Sequence, residues 1–203
     1  MEKLKLNAGR FDKVLYALQI ACTVAAVAAL VGILLIGAAV LFQLDPGLIG
    51  TGYESLDLGF LELELAPEFA PDTNLVLGIT AVELALGIVM ALLGKKCLGC
   101  LRKIITPMKE GNCFHETAAD NLKTLAILSL ILGGVTNVAQ FLGHLMVQYG
   151  YRLQELFVGD KIKAVSFYYE ADLTCFGVAV ILMLLSYVFR HGQSLQQLSD
   201  ETL

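Results

Sequence analysis

Two stretches of the sequence gather side chains that could bind a metal. "KKCLGCLRK" and "KEGNCFHETAADNLK" place Cys97, Cys100, Cys113 and His115 close together in the chain, three sulfurs and an imidazole. That is the ligand set of a closed tetrahedral zinc site, and the Cys-x-x-Cys and Cys-x-His spacings are acceptable for one. The surroundings argue against it. If the preceding apolar helix continues to Pro107, Cys97 and Cys100 lie about 4.5 Å apart along its axis, and both would have to face the loop. A redox Cys-x-x-Cys normally opens a helix, where the dipole lowers the thiol pKa, whereas this pair falls mid-helix. Reduced thiols used as small apolar residues are the simpler account, so no metal and no cofactor is expected. Cys22 and Cys175 fall inside helices and read as packing.

A second set of residues could move a proton or a cation. Glu83, in "ITAVELALG", lies near the middle of an apolar run. A carboxylate there costs about 2.5 to 3.5 kcal/mol on insertion scales, so it should face protein and have a partner or a function. Asn137, Gln140 and His144 follow at spacings of three and four, which puts them on one helix face. If the two helices are antiparallel neighbours, Asn137 sits at about the depth of Glu83, with His144 nearer Glu170 and Asp172. That would make a polar track from the midplane outward. The alternative is interhelical glue, in which Asn, Gln and a protonated Glu hydrogen-bond across helices for about 0.6 to 2 kcal/mol each. Walker A loop, nucleophile elbow, His-Glu-x-x-His and dinucleotide fingerprint are all missing from the sequence, so no enzyme is expected.

The elements that must carry these residues follow from composition. Hydrophobic residues make up 57% of the 203 and charged ones 16%, against about 25% charged in a soluble domain. Four apolar stretches, Val14–Phe42, Leu75–Leu93, Leu125–Val147 and Leu173–Phe189, are long enough to cross hydrocarbon about 30 Å thick. The fold class expected is therefore an all-α membrane protein, one domain of four transmembrane helices over about 14–42, 75–106, 118–147 and 168–190. Loops 43–74 and 148–167 would lie outside, and 191–203 would form a cytoplasmic tail. The first run is about twice a secretory h-region of 7 to 15 residues and reads as a retained helix.

Orientation follows the basic residues. Lys3, Lys5, Arg10, Lys13, Lys95, Lys96, Arg102, Lys103, Lys109, Lys123 and Arg190 fall on one side, and only Arg152, Lys161 and Lys163 on the other. Eleven against three puts both termini in the cytoplasm. The net charge of −5 comes largely from the first outer loop, which disfavours direct binding of nucleic acid there. Within that loop "ESLDLGFLELELAPEF" alternates apolar and polar residues, a strand period with a slip near Gly59. A small outer β-element is expected, with Lys161 and Lys163 of "DKIKAVSFYY" opposite Glu62 and Glu64. Tyr149, Tyr151, Tyr168 and Tyr169 would ring the outer headgroups.

On the inner side the second helix should run on to Pro107 as an amphipathic extension, its Lys95, Lys96, Arg102 and Lys103 meeting anionic headgroups. Gly111 and Asn112 supply a turn, and Thr117 with Asp120 resembles a capping box that starts the third helix near Ala118. After the fourth helix, Leu195, Leu198 and Thr202 could share a face of a short terminal helix, with Gly192 as its joint.

"GNCFHETAADNLKTL", Gly111 to Leu125, and "GQSLQQLSDETL", Gly192 to Leu203, resemble a bacterial integral membrane family called domain of unknown function 2975. Its pattern is an inner Gly-x-Pro-Phe step into helix three and a tail of the type Gly-x-x-Leu-Gln followed by acidic residues. The likeness covers nearly the whole chain. One departure is Cys113, where the family has Pro, so a zinc site would be peculiar to this protein. The resemblance implies four membrane helices and, by analogy with members encoded beside a small helix-turn-helix regulator, a membrane-side sensing or regulatory role. The candidate contacts for a cytoplasmic partner are then Gly111, Phe114, Gly192, Leu195, Gln196, Asp200 and Glu201, and a homo-oligomer is a further possibility. A small proton- or cation-coupled transporter through Glu83 is the alternative.

Overall fold

The structure, a computed structural model, describes residues 2–42, 55–57, 62–64, 73–110, 117–145, 148–149 and 169–201. Helices α1 (Glu2–Phe42), α2 (Thr73–Glu110), α3 (Ala118–Leu145) and α4 (Thr174–Glu201) dominate them. Each contains a stretch long and apolar enough to cross a membrane: Gly9–Phe42, Asn74–Pro107, Ala118–Leu145 and Thr174–Leu195. Strands β1 (Ser55–Asp57) and β2 (Glu62–Glu64) pair antiparallel, Ser55 opposite Glu64, Leu56 opposite Leu63 and Asp57 opposite Glu62. This pairing is local to one loop, while residues 161 and 163, the expected partners of Glu62 and Glu64, lie outside the described residues.

Three helices differ at their ends from the sequence expectation. Helix α1 begins at Glu2, twelve residues before the apolar run, because "EKLKLNAGRFDK" contains good helix formers and no proline. Helix α2 passes through Pro107 to Glu110. Proline removes one backbone bond, the one its missing N–H would have donated to the carbonyl of Lys103, and the helix continues across that single gap. Helix α4 starts at Thr174, not 168, and runs unbroken through Gly192, so the expected joint is absent. A glycine inside a helix costs only about 1 kcal/mol relative to alanine, which the flanking turns tolerate.

The chain forms two compact units, one of Met1–Val27, Ile88–Thr136 and Asp172–Leu203, the other of Ala28–Gly87 and Asn137–Ala171. In the first, small residues let helices approach closely, as expected where lipid removes the hydrophobic drive for association. Gly133 of α3 faces Cys175 of α4 so closely that an added Cβ would lie 2.5 Å from the Cys175 Cβ. Near the other end of the same helix pair, the Ser186 hydroxyl donates to the Ala119 carbonyl at 2.7 Å. Ala118, Ala119, Leu122, Leu125 and Ala126 on α3, Leu15 on α1 and Ala179 on α4 form this unit's core. In the second unit Ala39, Val76 and Leu77 are buried, and Gly32 packs against Leu84.

Most large apolar side chains are not covered by protein. Leu34, Leu35, Leu41, Phe42, Ile181, Leu184 and Val188 are all exposed, and no polar or charged side chain among the described residues is fully buried. Exposing so much apolar surface to water would cost about 25 cal/mol for each Å², a penalty that vanishes when hydrocarbon is the solvent.

The glycine contact gives a direct test. Gly133→Ala should destabilise the protein by about 1 to 3 kcal/mol through overpacking against Cys175. Gly134→Ala, with nothing within 4 Å of the added carbon, should be neutral or stabilising. Thermal unfolding in detergent, followed by circular dichroism, distinguishes the two; equal melting temperatures would contradict the packing.

Candidate functional site

At the basic end of the first unit, Arg102 is drawn into a polar cluster with α1. Nε donates to Asp12 Oδ1 at 2.8 Å, and Nη1 donates to Gln19 Oε1 at 3.0 Å. The guanidinium also lies 5.1 Å from the centre of the Tyr16 ring, within cation–π range. These residues meet because α1 and α2 are antiparallel: Gly94 lies beside Cys22, Gly99 beside Gln19 and Arg102 beside Asp12. Gly99 leaves the room Gln19 needs, since a Cβ there would come within 3.3 Å of Gln19 Nε2. The two ion-pair side chains keep 33% and 19% of their exposure, so the pair falls between surface and buried cases and is worth about 1 to 2 kcal/mol. Arg102, expected from sequence to meet lipid headgroups, also pairs with the Asp12 carboxylate. Sequence periodicity gives no sign of a partner 90 positions away.

Beside this cluster opens a cavity of about 600 Å³. Gln19 and Gly99 form one part of its lining, Arg102, Lys103, Thr106 and Pro107 another, and Thr117 and Asn121 of the first turn of α3 the rest. Among the described residues the lining contains two cations and no carboxylate. The Thr106 hydroxyl donates to the Arg102 carbonyl at 2.8 Å, and the Thr117 carbonyl accepts from both Asn121 N and Nδ2. Asp120, expected to reach back to Thr117, is held by Arg190 of α4 at 3.0 Å; both are well exposed, and such a pair contributes little.

The intramembrane residues are placed differently from the proposed track. Glu83 is half-buried, and its Oε1 would be 3.2 Å from a Cβ built on Gly143, so the carboxylate lies level with that glycine. Asn137 is six positions away, about 9 Å along the helix. Its Oδ1 lies 2.6 Å and its carbonyl 3.0 Å from the Tyr169 hydroxyl, which donates its one proton there. Phe141 packs edge-on to the same ring, centroids 5.6 Å apart at 73°. Tyr169, assigned from sequence to the headgroup belt, is thus the hydrogen-bond partner of Asn137. His144 is half-buried and Gln140 exposed. Asp172 accepts from Thr174 N at 2.8 Å and caps α4. The hydrogen bonds from the Thr174 side chain and backbone hold its carboxyl below the ordinary aspartate value of 3.8.

Cys22, Cys97, Cys100 and Cys175 are free thiols. Among the described residues no three His, Cys, Asp or Glu side chains are grouped to hold a metal, and Cys113, His115, Gly111 and Phe114 lie outside those residues. Gly192, Leu195, Gln196, Asp200 and Glu201 all belong to α4, with Leu195 56% and Leu198 59% exposed.

Two outcomes follow from these contacts. Tyr169→Phe should lower stability by about 0.5 to 1.5 kcal/mol, and the loss should shrink in an Asn137→Ala background, where only the backbone carbonyl is left to accept, a coupling that a double-mutant cycle measures. Asp172 has a depressed folded-state pKa, so its contribution is present above the unfolded value and is lost as pH falls through the folded one. Asp172→Ala should therefore melt below wild type at pH 6, with the gap closing as pH drops below the usual aspartate range. No family model, curated protein or solved structure matches the chain, so the reading of the site rests on its own geometry.

Proposed function

We propose that the chain is a multi-pass plasma-membrane protein with both termini in the cytoplasm, acting as a non-enzymatic sensor or regulatory protein through its cytoplasmic loop and tail. The observation that carries this reading is the end of α4. The helix persists to Glu201, past the candidate span ending at Leu195, and presents Leu195 and Leu198 exposed one turn apart among polar residues. An amphipathic turn at the basic end of a membrane protein is suited to docking a partner helix. The excess of Lys and Arg on the α1 start, the α2–α3 connection and Arg190 supports a cytoplasmic position for that end. The likeness to domain of unknown function 2975 suggests a small helix-turn-helix protein as the partner.

A second reading is a small proton- or cation-coupled transporter. It is supported by Glu83, a carboxylate within a candidate span that stands beside the bare backbone of Gly143, where a small ligand or water could approach.

Cross-linking in native membranes followed by purification should recover a cytosolic protein with the wild-type chain and lose it with a chain lacking residues 191–203. Proton flux in liposomes that Glu83→Gln abolishes without lowering the melting temperature would instead favour the transporter.

A further inference from the structure

We propose that the cavity beside Arg102 binds the phosphate of an anionic molecule at the membrane surface. The proposal is independent of the partner reading above and rests on the cavity itself. Its lining combines Arg102 and Lys103 with Gln19, Thr106, Thr117 and Asn121, and among the described residues it includes no carboxylate. About 600 Å³ lies within the usual 300 to 1,000 Å³ of small-molecule sites and is ample for a phosphate with a polar headgroup.

Arg102 is held in place before any ligand arrives. Asp12 and Gln19 use two of its five N–H donors, fixing the plane of the guanidinium while three donors remain. A fixed guanidinium offers a planar fork to phosphate oxygens. Lys103 is exposed, forms no ion pair among the described residues, and supplies a mobile second cation. On the far side Thr117 and Asn121, at the start of the 28-residue α3, complete the lining, so the positive end of that helix's dipole is near. Asn121 keeps a second amide hydrogen beyond the one given to Thr117. The cavity lies between the end of α2 and the start of α3, beside the basic extension whose Lys95, Lys96, Arg102 and Lys103 are expected to meet anionic headgroups. The phosphate can therefore come from a lipid or from a free phosphate compound.

The full-length chain in neutral detergent is titrated with short-chain phosphatidylglycerol, with phosphatidylcholine of the same chain length, and with inorganic phosphate against chloride at equal ionic strength, thermal unfolding being the readout. Saturable stabilisation by phosphatidylglycerol, or by inorganic phosphate, is expected. Lys103→Gln should raise the half-saturating concentration about tenfold, the loss of one charge-assisted hydrogen bond. Lys96→Gln, seven positions away on the same face but outside the cavity, should shift it less than twofold. A response to phosphatidylglycerol alone identifies a lipid headgroup as the source, and a response to inorganic phosphate identifies a free one. The proposal is overturned if neither probe stabilises the protein beyond its neutral control, or if the two lysine variants lose affinity equally.

Discussion

One guanidinium organises the basic end of this protein. Arg102 sits on α2 but makes its contacts to α1, through Asp12, Gln19 and the Tyr16 ring. The two helices are apolar along most of their length, and in hydrocarbon such surfaces slide past one another with little preference. Charge-assisted hydrogen bonds at fixed positions set their register. They also close one side of the cavity, because Gln19 and Arg102 belong to both the cluster and the cavity lining. A modest interaction energy is enough here, since it has only to choose one alignment among several of similar packing.

Away from that end, close contact takes the place of polar chemistry. Gly133 against Cys175, Gly94 beside Cys22 and Gly32 against Leu84 bring backbones near enough for dispersion to act. The polar exceptions within the spans are short and specific: Ser186 to Ala119, Thr136 to Met90 Sδ at 3.7 Å, and Tyr169 to Asn137. The Ser186 and Tyr169 hydroxyls gain acceptors on a neighbouring element, whereas Thr136 also has the Leu132 carbonyl of its own helix at 2.9 Å. Glu83 is the most costly of the polar groups to leave in hydrocarbon, and the absence of a side chain on Gly143 gives its carboxylate space.

The spans were legible in the sequence because length and hydropathy alone define them. The ends were not, since they depend on single events: one lost bond at Pro107, tolerated within α2, and one carboxylate, Asp172, that caps α4 at Thr174. The second carries a readable sign, an aspartate two residues before the first helical N–H. Pairings across the chain left no sign of that kind. Nothing in the spacing of Arg102 points to Asp12, and Tyr169 looks like any interfacial tyrosine until Asn137 is placed beside it. The cysteines show the converse. Cys97 and Cys100 have metal-like spacing and stand about one turn apart on a continuous α2 as free thiols, while Cys113 and His115 of the same set lie outside the described residues.

Charge reversal across α1 and α2 tests the central role of Arg102 most directly. Asp12→Arg alone and Arg102→Asp alone should each lower the melting temperature in detergent. The double variant should recover most of that loss, because the opposite charges again face each other and Gln19 can turn its amide N–H towards the new carboxylate. A double variant no more stable than the weaker single would contradict the account, and would mean that α1 and α2 are aligned by packing alone.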